Sequence, residues 1–232
     1  PILTRVSESN YGLEKSRTGY MFEFDGNRYS KGSLKYLKAL AFLKRSVDTS
    51  DVSSVLEIGG GIGPLGEILQ GSQDQHFFYV DVDIPPMSYL ASEYLKQVLG
   101  DDNVLDYSET RGMDVIDLDD IRKTHKAVVL CTWQLPRVKG SIDLFVNQTS
   151  FQEMEPEVVR NYGNMVSPLI TKYALIHNRK VGQPMAIGDG RGVRVPVSVD
   201  DIIGHFTDFE VVSRDSWLAA KHHELVALRK LG

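Results

Sequence analysis

Residues 55–69 read VLEIGGGIGPLGEIL: an acid, a glycine turn and an apolar-periodic stretch in immediate succession. Glycine lets a backbone take positive φ and approach a ligand closely, so such a turn is suited to holding one. Two ligand classes fit the spacing. Gly61, Gly63 and Gly66 satisfy G-x-G-x-x-G, the dinucleotide fingerprint. Glu57, Gly59, Gly61 and Gly63 satisfy E-x-G-x-G-x-G, the pattern of S-adenosylmethionine (SAM) turns.

The surrounding residues favour the second class. A pyrophosphate wants free N–H groups at a helix N-terminus, and Pro64 removes one. The Glu57 carboxylate is awkward beside a dianionic pyrophosphate and useful beside a cofactor carrying an ammonium and a sulfonium. Asp81 and Asp83, at the end of the next apolar run, serve either ligand, because both present a ribose diol.

The elements that position these residues follow from apolar periodicity. Residues 1–28 are polar and irregular, with Gly12, Gly19 and Gly26. Ser30 caps an expected helix over 31–46, where Leu34, Leu37, Leu40, Ala41 and Leu43 recur at helical spacing. Short apolar runs at 52–58, 77–82, 127–131, 142–146 and 173–177 suit strands buried on both faces. Two more strands are expected at 209–213 and 225–228; no helix fits between them, so they pair antiparallel. Helices are expected after Pro64, over 87–99, from Pro156 to Met165 with Gly163 and Pro168 bending or ending it, and near 199–206. Residues 100–124 are acidic and ambiguous, and 178–197 form a loop rich in glycine and basic residues. Strands alternating with helices mean an α/β fold: a Rossmann-like, mostly parallel seven-stranded sheet, helices on both faces and an antiparallel C-terminal strand pair. Ligands bind such sheets beyond the carboxyl ends of the strands, here 57–63, 81–84, 131–134, 147–153 and 177–179. The closing strand pair favours a methyltransferase sheet over a dinucleotide sheet, by fold analogy.

The whole chain bounds the alternatives. With 232 residues, one sizeable core is the default. A net charge of −5 carries no basic footprint for nucleic acid, and no apolar run approaches a membrane span. The N-terminal PILTRVSESN lacks the apolar core of a signal peptide, and it starts without Met. The single cysteine, Cys131, excludes an internal disulfide and suits a reducing cytoplasm.

The motifs carry a resemblance. Val55 to Gly63 resembles motif I of class I SAM-dependent methyltransferases, and YVDVDIPP (79–86) resembles their second motif. Together with WQLP (133–136) and DLFVNQTSFQEM (143–154), these are similar to the sugar O-methyltransferase family of antibiotic pathways, the nanchangmycin type, from about residue 25 onward. The resemblance implies that Glu57, Gly59, Gly61 and Gly63 line the methionine end of SAM. It implies that Asp83 holds the ribose, with Asp81 as fallback or as a holder of a neighbouring loop. The chain departs from the pattern by an insertion over 100–124, so Thr132 and Trp133 match the adenine position only roughly. Asn147 and Gln148, directly after the fourth strand, stand where methyltransferases place groups that touch SAM or the acceptor; the bland reading of Asn147 is a turn cap.

Methyl transfer to oxygen needs an aligned acceptor and a group that takes the hydroxyl proton. Glu153 and His177 are the candidates. Ser150-x-x-Glu153 also reads as a capping box, which would explain both residues without chemistry, and a strand-end His177 also reads as a hydrogen-bonding core residue. His222 and His223 make no metal site, because adjacent strand residues point to opposite faces. No metal ligand is assigned; a divalent ion among the acids at 101, 102, 114, 117, 119 and 120 stays open beside the reading of a solvated face. Trp133 reads equally as a stacking residue or as core, and Arg191 and Arg194 as anion contacts or as plain surface. The expectation is an N-terminal helical cap (1–50) over a SAM-binding domain (51–232), methylating a hydroxyl of a sugar or glycosylated metabolite in the cytoplasm. Its partner is a small hydroxylated acceptor, with no nucleic acid and no membrane; a homo-oligomer stays open. The rivals are a nicotinamide-dependent oxidoreductase and a non-catalytic SAM-binding subunit.

Overall fold

Each apolar run identified above becomes a strand, because a run apolar on both faces is satisfied only inside a sheet covered on both sides. The computed structural model describes residues 21–24, 27–71, 76–185, 192–217 and 221–232. A hairpin of β1 (Met21–Phe24) and β2 (Asn27–Ser30) leads into helix α1 (Lys31–Ser46), and the Ser30 hydroxyl accepts from the Ser33 N–H at the cap. There follow β3 (Ser54–Ile58), α2 (Pro64–Gln70), β4 (Phe78–Asp83), α3 (Met87–Leu99), β5 (Val104–Leu105), α4 (Tyr107–Thr110), β6 (Ile116–Asp117), α5 (Leu118–Ile121) and β7 (Ala127–Cys131). The chain continues through β8 (Val138–Lys139), β9 (Ile142–Gln148), α6 (Pro156–Val166), β10 (Ile170–Arg179), α7 (Val199–Ile203), β11 (Phe209–Asp215) and β12 (His223–Lys230).

The main sheet runs β11-β12-β10-β9-β3-β4-β7-β5. All pairs from β10 to β5 are parallel, while β12 is antiparallel to both β10 and β11. The seven expected strands are present, and the acidic stretch adds an eighth, since two-residue β5 pairs with β7 at the edge. The same stretch holds α4, capped by Asp106, and α5, capped by Asp117. Gly163 does not break α6, which runs on to Val166 before Pro168. The last helix is shorter than expected, because Ser198 and Asp201 cap it at one end and Gly204 closes it at the other. The N-terminal calls on 1–20 and Gly26, and Arg191 in the basic loop, lie outside the described residues.

One core fills each face. On the first, α1, α2 and α3 bury Leu40, Leu65 and Leu95 with Val55, Tyr79, Val129 and Leu225 of the sheet. On the second, Phe151, α6 and α7 pack on Ile58, Val82, Phe145 and Ile176. Helix α1 thus shares a core with the sheet.

Gly66, the last glycine of the dinucleotide spacing, meets protein: a Cβ there would come 2.6 Å from the Tyr79 ring and 2.9 Å from Leu95. Gly66→Ala is therefore expected to lose about 1–3 kcal/mol of stability by overpacking, despite alanine's better helix propensity. Urea unfolding at fixed pH checks this; an unchanged midpoint would mean that α2 shifts freely.

Candidate active site at the carboxyl edge of the sheet

Between β3 and α2 the chain turns on glycines that differ in what surrounds them. Gly59, Gly61 and Gly63 have φ of +78°, +67° and +86°, the left-handed region that L side chains rarely enter. A side chain at Gly59 would run into Ser150, one at Gly60 would sit 2.5 Å from Asp81 Oδ1, and one at Gly63 would press on Leu95 at 3.0 Å. At Gly61 a Cβ would meet nothing within 4 Å among the described residues. Among the glycines of the turn, only Gly61 is open to the described surroundings.

Three carboxyl groups lie beneath and beside this opening. Tyr79, Asp81 and Asp83 alternate along β4 and so share a face. Glu57 is fully buried on the adjacent strand; Tyr36 donates to its Oε1 at 2.8 Å and Tyr79 to its Oε2 at 2.7 Å. Burial raises the Glu57 pKa from 4.5 to about 7, with the two tyrosine hydrogen bonds pulling the other way. Asp81 is also fully buried and lies against Gly60. Burial, then the neighbouring Glu57 and Asp83 charges, push its pKa well up. The Gly60 and Val82 N–H groups oppose that rise from nearby, but neither forms a well-directed hydrogen bond, and both Asp81 oxygens stay unpartnered. Asp83, at the strand's end, is only partly buried. It accepts from Gly61 N–H at 2.9 Å and Ile84 N–H at 2.7 Å, so it ties the open position of the turn to β4. Desolvation raises its pKa, opposed by those two N–H groups.

Beyond β7, Thr132 and Trp133 border a surface groove of about 650 Å³ with Pro136, Arg160, Tyr162 and Met165. Trp133 is 53% exposed and meets Tyr107 edge-on at 5.8 Å, so it is not a core residue. Burial raises the Tyr162 pKa, with the neighbouring Thr132 opposing the rise.

Beyond β9, the Asn147 side chain is fully engaged. Its amide donates to Ile58 C=O at 3.1 Å and lies 2.6 Å from Ser150 Oγ. Its carbonyl accepts from Phe151 N–H at 3.2 Å and from Asn178 at 2.8 Å. Ser150 forms no capping box with Glu153, because its hydroxyl donates to Ile58 C=O at 2.8 Å instead. Glu153 is exposed. His177 is 2% exposed. Its Nδ1 lies 3.3 Å from Gln148 Oε1, its Nε2 is buried with no partner among the described residues, and its ring meets His223 edge-on at 5.6 Å. Burial lowers its pKa to about 3, aided by the charges of His223, Lys38 and Lys35.

Among the described residues no group of three His, Cys, Asp or Glu side chains could hold a metal. Three of the six candidate acids of the insertion are engaged structurally: Asp117 caps α5, Asp119 binds Ser141 and Arg122, and Asp120 binds Lys123. Sequence reasoning missed Tyr36, Tyr79, Ser150 and Tyr162. Tyr79 was findable from its alternation with Asp81 and Asp83; Tyr36 meets Glu57 across 21 positions with no local signal.

No protein-family model matches the chain, and no curated protein matches it. Solved structures do. The mitomycin 7-O-methyltransferase MmcR aligns with a TM-score of 0.56 at 12% identity over 87% of this chain, which spans 55% of that protein, about half its length. Magnesium protoporphyrin IX methyltransferase from Synechocystis PCC 6803, solved with SAM bound, aligns with a TM-score of 0.53 at 12% identity over 98% of this chain and 95% of that one. The pyocyanin biosynthetic protein PhzM aligns with a TM-score of 0.54 at 11% identity over 84% and 55%. The fold is the Rossmann-like fold of class I methyltransferases.

The Glu57 proton links stability to pH. Its folded pKa, about 7, exceeds the ordinary 4.5, so the native state holds the proton more tightly. That contribution is full below pH 4.5 and is lost as pH rises through 7. Glu57→Gln, which carries no charge to bury, is expected to reduce the decline in stability between those values. Chemical denaturation of both proteins across that range measures it; parallel curves would mean that Glu57 titrates normally.

Proposed function

We propose that the protein is a SAM-dependent O-methyltransferase acting on a hydroxyl of a small molecule, a sugar or glycosylated metabolite being the acceptor class. The observation that carries the reading is the opening over Gly61, the one glycine of the turn where a Cβ meets none of the described residues within 4 Å, bounded by the Asp83 carboxylate. The residues fit the cofactor: a close backbone approach at Gly61, an acid for the ribose diol at Asp83, and an exposed Trp133 with Thr132 on the adenine side. Bound there, SAM would supply an electrophilic methyl group on sulfonium sulfur. Glu57 sits beneath the turn with both oxygens taken by tyrosines, so it supports the turn from below. Asp81 does likewise under Gly60.

His177 supplies the proton acceptor. The Gln148 carbonyl holds the proton on Nδ1, which leaves the lone pair of Nε2 free for a hydroxyl donor. With a pKa near 3 the ring is neutral at physiological pH. His177 Nε2 would take the acceptor's O–H proton, and bound SAM would supply the methyl group to that oxygen. By holding the ring, Gln148 would fix the direction from which an acceptor hydroxyl meets Nε2.

Calorimetry with SAM and, in parallel, NAD tests the cofactor. SAM is expected to bind, Gly61→Val to abolish binding, and Asp83→Ala to weaken it by roughly 1.5–3 kcal/mol, more than Asp81→Ala does. Tight NAD binding without SAM binding would replace the reading with an oxidoreductase.

Turnover on a panel of sugars tests the base. His177→Asn is expected to cut the rate by about 10²–10⁴ with SAM affinity kept, while Glu153→Gln changes little. The reverse pattern would assign the proton transfer to Glu153.

A further inference from the structure

The described residues around His177 are rich in positive charge. On the α1-facing side of the sheet, β10 presents His177 and Arg179, and β12 places His223 directly opposite Arg179. Helix α1 packs against both β10 and β12, and its Lys35 and Lys38, one turn apart, carry charges that depress both histidines. Burial lowers the Lys38 pKa, and Lys35 lowers it further. Neither lysine, nor Arg179, makes an ion pair among the described residues. The acid of β12, Glu224, lies on the opposite face, bound by Arg214 and Ser216. Asp215 of β11 is the acid whose charge reaches Lys38.

Two polar atoms in this cluster are buried with no partner, His177 Nε2 and Arg179 Nε. Orphaned buried groups are costly, and a cluster of unneutralised cations beside them adds repulsion. Both costs fall if a bound molecule brings an anion to the cations and to Arg179 Nε, and a hydroxyl donor to His177 Nε2.

We infer that Lys35, Lys38, Arg179 and His223 form a subsite for an anionic group of the acceptor, a carboxylate or a phosphate, placing a neighbouring hydroxyl at His177 Nε2. The inference rests on the methyltransferase reading and narrows its substrate class to acidic or phosphorylated hydroxylated molecules. The anion also neutralises the charges that press on His177, so the ring becomes a stronger base only when a charged acceptor is in place.

Imidazole NMR of the full chain decides the matter, with inorganic phosphate, glucuronate, glucose 6-phosphate and glucose as probes. At tens of millimolar, the charged probes are expected to shift the His177 and His223 signals saturably and to raise the His177 pKa, and glucose to do neither. A stronger response to glucuronate assigns a carboxylate; a stronger response to glucose 6-phosphate assigns a phosphate. Lys35→Gln and Lys38→Gln, made singly, are each expected to weaken the response about tenfold. No response to any anion, an equal response to glucose, or unchanged affinity in both folded variants overturns the subsite. SAM calorimetry on the same samples separates the two levels. SAM binding without an anion response overturns the subsite alone. An anion response without SAM binding keeps an anion site and overturns the methyltransferase reading.

Discussion

The Ile58 carbonyl ends the central strand just where the chain must leave the sheet, and a buried carbonyl there needs donors. It receives two, from Asn147 and Ser150. That pair of bonds ties β3 to β9 and, through Asn178, to β10. It also brings Ser150 so close to residue 59 that only glycine fits. The direction of the turn, the position of Gly61 and the spacing between the two halves of the site all descend from how this one carbonyl is satisfied.

The two halves differ in chemistry. Glu57, Asp81 and Asp83 lie on β3 and β4; His177, Arg179 and His223 lie on β10 and β12, on the side facing α1. At about 4.8 Å per strand, β4 and β12 stand roughly 19 Å apart across the edge. Burial favours the uncharged forms of Glu57, Asp81, His177 and His223, so the titratable groups at both ends are held away from their ordinary charge.

Local signals carried most of the fold. The cap at Ser30, Pro64 in the first turn of α2 and the doubly buried strands depend on neighbouring residues, and the sequence displays them. What it hid was long-range or competitive. Ser150-x-x-Glu153 has the spacing of a capping box, but the unsatisfied Ile58 carbonyl, 92 positions away, outcompetes the local bond. β5 is two residues long, too short to show alternation, and exists because β7 offers it an edge. Within the site, the glycine turn and both aspartates were legible as types and positions. Their division of labour was offered only by the resemblance, with both roles open for Asp81, since spacing alone does not show which of two same-face acids lies under Gly60.

Helix α1 has a double allegiance. Tyr36 reaches the acidic half of the edge, while Lys35 and Lys38, its close neighbours on the same helix, reach the basic half. Its apolar face is cemented into the sheet by Leu40 and Leu43. Such a helix is not an interchangeable module. A shift of this helix that moves its lysines also moves the tyrosine that holds Glu57, so the two ends of the edge are mechanically coupled through one rigid element.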